Sequence, residues 1–156
     1  VAAMTCRFLL AFCFLAASAL STQAQERQWM LDASDSDAYL IFGVPDSDDV
    51  GISFWCPVQQ GEVNVFIPEA SARLHPGADI TVTLKADEES ETFTGKSEVN
   101  LEAALTSVEV KVPVNAQILA AMLKADRFRV IIDGNETIFP LIDADLESLL
   151  DLCRKP

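Results

Sequence analysis

The stretch Val50-Gly51-Ile52-Ser53-Phe54-Trp55-Cys56 alternates with a period of two. Its even-numbered residues are all apolar, and Gly51, Ser53 and Trp55 lie between them. This alternation is typical of a β-strand that buries one face. The stretch therefore predicts a core strand, with Cys56 on its inward face beside Ile52 and Phe54.

The same alternation recurs along most of the chain. Further strands are predicted at 63–67, 80–84, 108–112, 128–132 and 136–139, with weaker patterns at 28–31, 38–44 and 91–98. The stretch 91–98 is polar enough for us to expect an edge strand. Between the last two strands, Asp133-Gly134-Asn135 tolerates positive φ and favours a hairpin.

Two segments have helical spacing instead. We expect Asn115 to cap the first helix and Asp143 to cap the second, because both side chains can accept hydrogen bonds from a helix N-terminus. The two apolar stripes are Ile118, Leu119, Met122 and Leu123, and Leu146, Leu149, Leu150 and Cys153. The second stripe places Cys153 on the buried face of its helix.

These patterns predict a mainly β fold, either a small β-sandwich or an open barrel. We expect about seven to nine strands, with two short helices over an edge or an end. Because Cys56 and Cys153 both point to apolar surfaces, we expect a disulfide between the last helix and a core strand. A zinc site and a redox pair are the rival interpretations, but the chain has no Cys-x-x-Cys motif and one histidine.

The N-terminal residues have the three regions of a secretory signal. Arg7 is followed by an apolar run over 8–20 and by small residues around Ala24. The run is shorter than the roughly 20 residues that span a bilayer. We therefore expect a signal peptide at 1–24, cleaved after Ala24 or alternatively after Ala19, and a single β-rich domain at 25–156. The product would be periplasmic or secreted, where a disulfide persists.

The charge of the chain limits its partners. The full sequence has a net charge of −13, and Arg7 is the charged residue of the first 24, so ten basic side chains remain against 24 acidic ones. Nucleic-acid binding depends on Lys and Arg at phosphates, so we expect none. No later apolar stretch is long enough to span a membrane, and we expect no span after signal cleavage. The sequence does not indicate an oligomeric state.

His75 is the single histidine and would have to be the general base of any catalytic triad. It lies in the turn-like stretch Leu74-His75-Pro76-Gly77, with no Gly-x-Ser-x-Gly motif in the sequence. We favour a solvated side chain. The alternative is a hydrolase or metal-dependent enzyme that combines His75 with acidic loop residues.

Asp46, Asp48 and Asp49 form an acidic cluster that could bind calcium. An EF-hand loop counted from Asp46 would need a glutamate at its twelfth position, which is Pro57. A looser calcium site is a weaker interpretation than a solvated acidic turn. We therefore expect no cofactor and no metal.

Trp29, Trp55 and Phe66 are the candidate binding surface. Trp55 and Phe66 have the parity opposite to the apolar rows of their strands. If a helix or Trp29 covers that second face, both residues belong to the core, which is the favoured interpretation. If the face is exposed, it is a recognition surface.

The C-terminal half resembles small exported bacterial β-sandwich proteins, among them accessory proteins associated with type VI secretion. The resemblance rests on 119–123, 126–130, Phe139, Leu141 and the stripe that ends at Cys153. An early Trp29, a strand Cys56 and a helix Cys153 match the same framework, and the invasion-associated exported proteins are a second choice. Both resemblances imply a non-enzymatic role. We thus expect a non-catalytic binding or accessory module whose partner is another envelope or secreted protein.

Overall fold

The computed structural model describes residues 26–70, 75, 77–100 and 105–156. The predicted signal segment 1–24 and its two cleavage sites lie outside the described residues. Within the described ranges the chain forms nine antiparallel strands and two short helices, which confirms the mainly β prediction.

The strands follow the predicted order along the chain. They are β1 (Gln28–Ala33), β2 (Asp37–Gly43), β3 (Val50–Pro57), β4 (Glu62–Ile67), β5 (Asp79–Ala86), β6 (Glu89–Asn100), β7 (Leu105–Pro113), β8 (Arg127–Ile132) and β9 (Asn135–Pro140). The helices are α1 (Gln117–Met122) and α2 (Leu146–Cys153). The β8–β9 hairpin turns at Asp133 and Gly134, with φ of 50° and 75°, as their tolerance of positive φ predicts.

All nine strands belong to one sheet, in the order β1-β2-β3-β4-β7-β6-β5-β8-β9. The sheet curls into a half-barrel, so the open barrel is the correct one of the two predicted architectures. Its two end strands approach each other across a seam. There the Trp29 indole nitrogen donates a hydrogen bond of 2.7 Å to the Pro140 carbonyl, and the rings of Phe42 and Phe139 meet edge to face at 6.0 Å.

The core fills the concave side of the sheet. Phe54 lies at its centre, with ring centroids 6.1 Å from Trp29 and 5.7 Å from Phe128. Helix α1 packs against β5 and β6, and α2 packs against β2, β3 and β4. The predicted inward rows of the strands are buried there together with Ile118, Leu119 and Met122 of α1 and the stripe of α2.

The disulfide between Cys56 and Cys153 is present, as predicted. Its Cα atoms are 5.8 Å apart across a separation of 97 residues. Two backbone hydrogen bonds support the same junction, from Gln59 N–H to the Leu152 carbonyl (2.9 Å) and from Gly61 N–H to the Cys153 carbonyl (2.8 Å). The end of α2 is therefore attached both to β3 and to the β3–β4 turn.

Strand β6 lies between β5 and β7, so its prediction as an edge strand is wrong. Its polar residues at even positions face solvent on the convex side. On the concave side, Phe93 packs on the core, Gly95 allows a close approach to β7, and Ser97 is 1% exposed. A sheet with one solvated face accommodates such a strand at its centre.

The predicted helix caps are also wrong. Helix α1 has Ala116 at its N-cap and α2 has Asp145, and neither makes a side-chain capping bond. Asn115 lies instead within a turn closed by Ala116 N–H and the Pro113 carbonyl, and Asp143 has a φ of 63°. The N-terminus of α1 is satisfied from the sheet, because Ile118 N–H donates to the Glu91 carboxylate at 2.9 Å.

Candidate functional site

The convex side of β2, β3 and β4 lies opposite both helices. Cys153 joins α2 to the inward side of β3, and Glu91 joins α1 to the inward side of β6. Among the described residues, no helix packs on the convex side. Side chains of the outward parity in these three strands therefore lie on a side that no described helix covers.

Three aromatic residues lie on this side and are called the aromatic face here: Tyr39, Trp55 and Phe66. Cross-strand pairing places Tyr39 opposite Trp55, and Phe66 opposite Ser53. Tyr39 is 38% exposed, and Trp55 and Phe66 are half-buried. The favoured interpretation of Trp55 and Phe66 as core residues is therefore wrong, because both helices cover the concave side.

The rings of the aromatic face have a defined arrangement. Tyr39 and Trp55 stack with centroids 5.9 Å apart and planes inclined by 15°. The Trp55 indole nitrogen donates a hydrogen bond of 2.9 Å to Oε2 of Glu109, which lies opposite Phe66 on β7. These contacts hold the Trp55 ring in one orientation.

Small polar residues lie between the rings. Ser53 and Asn64 have the outward parity but are only 8% and 5% exposed. Their cross-strand neighbours are Phe66 and Trp55, and the Asn64 amide lies 3.4 Å from the Trp55 carbonyl oxygen. The side chains of the aromatic face are thus packed together, and their outer side is exposed to solvent. Because these side chains are already ordered, binding a partner would cost little conformational entropy.

Acidic side chains surround the aromatic face. Asp32 lies opposite Tyr39, and Asp37 has the same parity as Tyr39 on β2. Glu109 borders Phe66. The nearest cations by register are Lys111, opposite Asn64, and Lys96, opposite Glu109. Lys111 is 3.8 Å from the Glu62 carboxylate, and Lys96 is paired with Asp79. This part of the surface therefore has an excess of negative charge.

Trp29, the third residue of the predicted surface, belongs to the seam. Its ring packs on Phe42 at 5.1 Å and on Phe54, and its indole nitrogen is bound to the Pro140 carbonyl. Sequence reasoning missed Tyr39 and Glu109. The parity of Tyr39 against Ala38 and Leu40 could have identified Tyr39, whereas the Glu109 contact depends on the pairing of β4 with β7.

A cleft of about 170 Å³ opens at the end of the half-barrel away from the disulfide. Its floor includes Ile67, Val130 and Phe139. At its rim, the Arg27 guanidinium binds Oδ1 of Asp49 through Nε at 2.8 Å and a terminal nitrogen at 2.5 Å. Among the described residues that line the cleft, the one cation, Arg27, already has a carboxylate partner.

The calcium candidates do not form a chelating set in the structure. The Asp49 carboxylate is bound to Arg27, and Asp46 lies in a turn with a φ of 55°. Across the described ranges, no group of three or more His, Cys, Asp or Glu side chains is placed to hold a metal ion.

His75 is exposed, and its backbone carbonyl accepts a hydrogen bond from the Ser97 hydroxyl. No hydrogen bond or ion pair joins its imidazole to another residue in the part of the chain that the structure describes. Leu74 and Pro76 on either side lie outside that part. No described contact favours the alternative of a hydrolase built on His75.

Comparison of the chain with models of protein families, with curated proteins and with solved structures gave no match. The resemblance to type VI secretion-associated and invasion-associated proteins therefore stays a prediction. None of the helices in the described ranges combines the length and apolar character that crossing a bilayer requires.

Proposed function

We propose that the protein is an exported, non-catalytic binding or accessory module that engages another envelope or secreted protein through the aromatic face. The observation that carries this proposal is the stacked pair of Tyr39 and Trp55 beside Phe66 on a sheet surface that no described helix covers. Tyrosine and tryptophan are enriched among the residues that dominate binding energy at protein interfaces.

The energetics of the aromatic face favour a protein partner. Covering apolar surface is worth about 25 cal/mol per Å², and the aromatic face continues towards β1 through Ile41 and Met30, which pair across the strands and are half-buried. The layer of Ser53 and Asn64 beneath the rings reduces the entropy lost on docking. A convex sheet surface of this kind suits a protein better than a small molecule, which binds in a concave pocket.

Export is supported by the disulfide. Structural disulfides persist in oxidising compartments and are rare in the cytosol. The Cys56–Cys153 bond is thus compatible with an exported protein. The proposed periplasmic or secreted location also agrees with the signal pattern of residues 1–24.

The proposal is tested by affinity capture from the envelope and secreted fraction of the source organism, followed by mass spectrometry. The bait carries either the native aromatic face or Tyr39→Thr with Trp55→Thr. Threonine retains the β propensity of these positions while removing the rings. We expect one or more proteins to be captured by the native bait and lost, by about tenfold or more, with the double variant.

The matched control is Ile138→Thr with Ile142→Thr, which removes two apolar side chains that are 51% and 65% exposed and lie away from the aromatic face. This bait should retain the captured proteins. If both double variants retain them equally, or if native bait captures nothing reproducible, the proposal is wrong.

A further inference from the structure

We infer that the aromatic face binds a guanidinium group, presented as an arginine side chain in a basic segment of the partner. This inference rests on the proposed function and specifies the chemistry of the partner. It follows from three features of the surface: the aromatic rings, the carboxylates that border them, and the charge of the chain.

The first feature is the ring pair. The negative face of an indole attracts cations, and Trp is the strongest aromatic partner for this contact. Stacking against Tyr39 and the hydrogen bond to Glu109 keep the Trp55 ring in place. A planar guanidinium can stack on such a ring while its N–H groups reach carboxylates at the edge, which a lysine ammonium cannot do.

The second feature is the set of carboxylates. Glu109 receives the Trp55 indole N–H on Oε2, which leaves further acceptor positions on the same carboxylate. In the described part of the chain, no Lys or Arg nitrogen lies within 4.0 Å of an oxygen of Glu109, Asp32 or Asp37. The neighbouring Lys96 and Lys111 are paired with Asp79 at 2.7 Å and with Glu62 at 3.8 Å.

The third feature is the charge of the whole chain. Its formal net charge is −13, and the ten basic residues after Arg7 stand against 24 acidic ones. Such a field accelerates encounters with basic segments and disfavours acidic ones, including a second copy of this chain. The negative charge around the aromatic face and the negative net charge of the chain thus both favour a positively charged partner.

The test is a titration of the purified ¹⁵N-labelled protein with three synthetic peptides, in which glycine alternates with arginine, lysine or glutamine. The two indole N–H resonances are assigned with Trp29→Phe and Trp55→Phe variants. We expect the arginine peptide to shift the Trp55 resonance and leave Trp29 unchanged. The lysine peptide should bind more weakly and the glutamine peptide should not bind.

Variants test the individual contacts. We expect Trp55→Leu and Glu109→Gln each to weaken binding of the arginine peptide by roughly fivefold, the range of one cation–π or charge-assisted contact at a partly exposed site. Tyr39→Leu serves as a second aromatic variant, because this more exposed ring contributes less to folding. Glu147→Gln on α2 removes one exposed carboxylate elsewhere and should change the affinity less than twofold.

The inference is wrong if glutamine and arginine peptides shift Trp55 equally, if Glu147→Gln weakens binding as much as Glu109→Gln, or if neither aromatic variant changes the affinity. The proposed function has a separate outcome. If no peptide binds while the captured protein still requires Tyr39 and Trp55, the partner is not basic but the aromatic face is still its docking surface. If both experiments fail, both proposals are wrong.

Discussion

Asp79 lies on the convex side of β5, opposite Lys96 on β6. The Lys96 ammonium donates a hydrogen bond of 2.7 Å to the Asp79 carboxylate and, through this bond and its charge, holds the pKa of that carboxyl below its ordinary value. A depressed native pKa means that the pair stabilises the fold above the unfolded pKa of Asp79, near 4. This contribution is lost as the pH falls through the native pKa.

We expect Lys96→Met to raise the pKa of Asp79 towards its ordinary value. The pKa is measured by NMR titration of the side-chain carboxyl resonance in the native protein and the variant. Lys85→Met serves as the control, because Lys85 lies on β5, the strand of Asp79, and makes no ion pair with a described residue. An unchanged Asp79 pKa in the Lys96 variant would show that the pair does not form in solution.

Side-chain parity explains for which individual residues burial could be predicted from the sequence. Ile52, Phe54 and Cys56 are buried as their alternation indicates, because a strand turns successive side chains to opposite faces. Trp55 also has the parity expected of it. Its burial could not be predicted, because it depends on which face of the sheet the two helices cover.

At the level of elements, β6 and β7 approach each other most closely at Gly95. A Cβ atom at this position would overlap the Glu109 carbonyl oxygen and lie 2.6 Å from Cγ1 of Val110. The lack of a side chain at residue 95 therefore allows these two strands to pair in their observed register.

We expect Gly95→Ala to reduce the free energy of unfolding by about 1 to 3 kcal/mol, the usual cost of overpacking. The measurement is urea denaturation followed by circular dichroism. Thr94→Ala, at an exposed neighbouring position of the same strand, should change it by about 0.5 kcal/mol or less. Equal effects of the two substitutions would contradict the close approach.

The sequence predicts the nine strands because their alternation is a local signal, but it does not predict their neighbours. Strand β6 is polar because one side faces solvent, and its central place depends on pairings with β5 and β7 that are distant in the sequence. The predictions of the helix caps are wrong for a related reason. Glu91 reaches the N-terminus of α1 from another element, and no local pattern reveals such a contact.

At the scale of the molecule, the disulfide encloses most of the described chain. In the chain-entropy model, a loop of about a hundred residues contributes about 4 to 5 kcal/mol by restricting the unfolded state. The double variant Cys56→Ala and Cys153→Ala should lose roughly this free energy of unfolding in guanidinium denaturation. Dithiothreitol should destabilise the native protein to a similar extent and leave the double variant unchanged.

A thiol assay can contradict the presence of the disulfide. The protein denatured without reductant should show no reactive thiol at Cys56 or Cys153. Two reactive thiols at these positions would mean that the bond is absent in the purified protein. The attachment of α2 to the sheet would then depend on packing and on the backbone hydrogen bonds from Gln59 and Gly61.

The sequence does not distinguish a β-sandwich from an open barrel, because the difference lies in the arrangement of the whole sheet. Turn residues and strand lengths are similar in both architectures. The curl of a single sheet depends instead on how far the sheet curves around one core and brings its end strands together. The Trp29 hydrogen bond to Pro140 shows where those ends meet. The residues that flank Trp29 and Pro140 in the sequence do not predict this contact.

That seam also determines the order in which the fold can be completed. Strand β1 is synthesised, and would be exported, well before β9, yet the Trp29 side chain of β1 contacts Pro140 of β9 in the finished half-barrel. Contacts between such distant parts of a chain form slowly, because a long loop must close first. Until then, the inner aromatic rings lack their last neighbours, so this interval is when the protein is most exposed to aggregation.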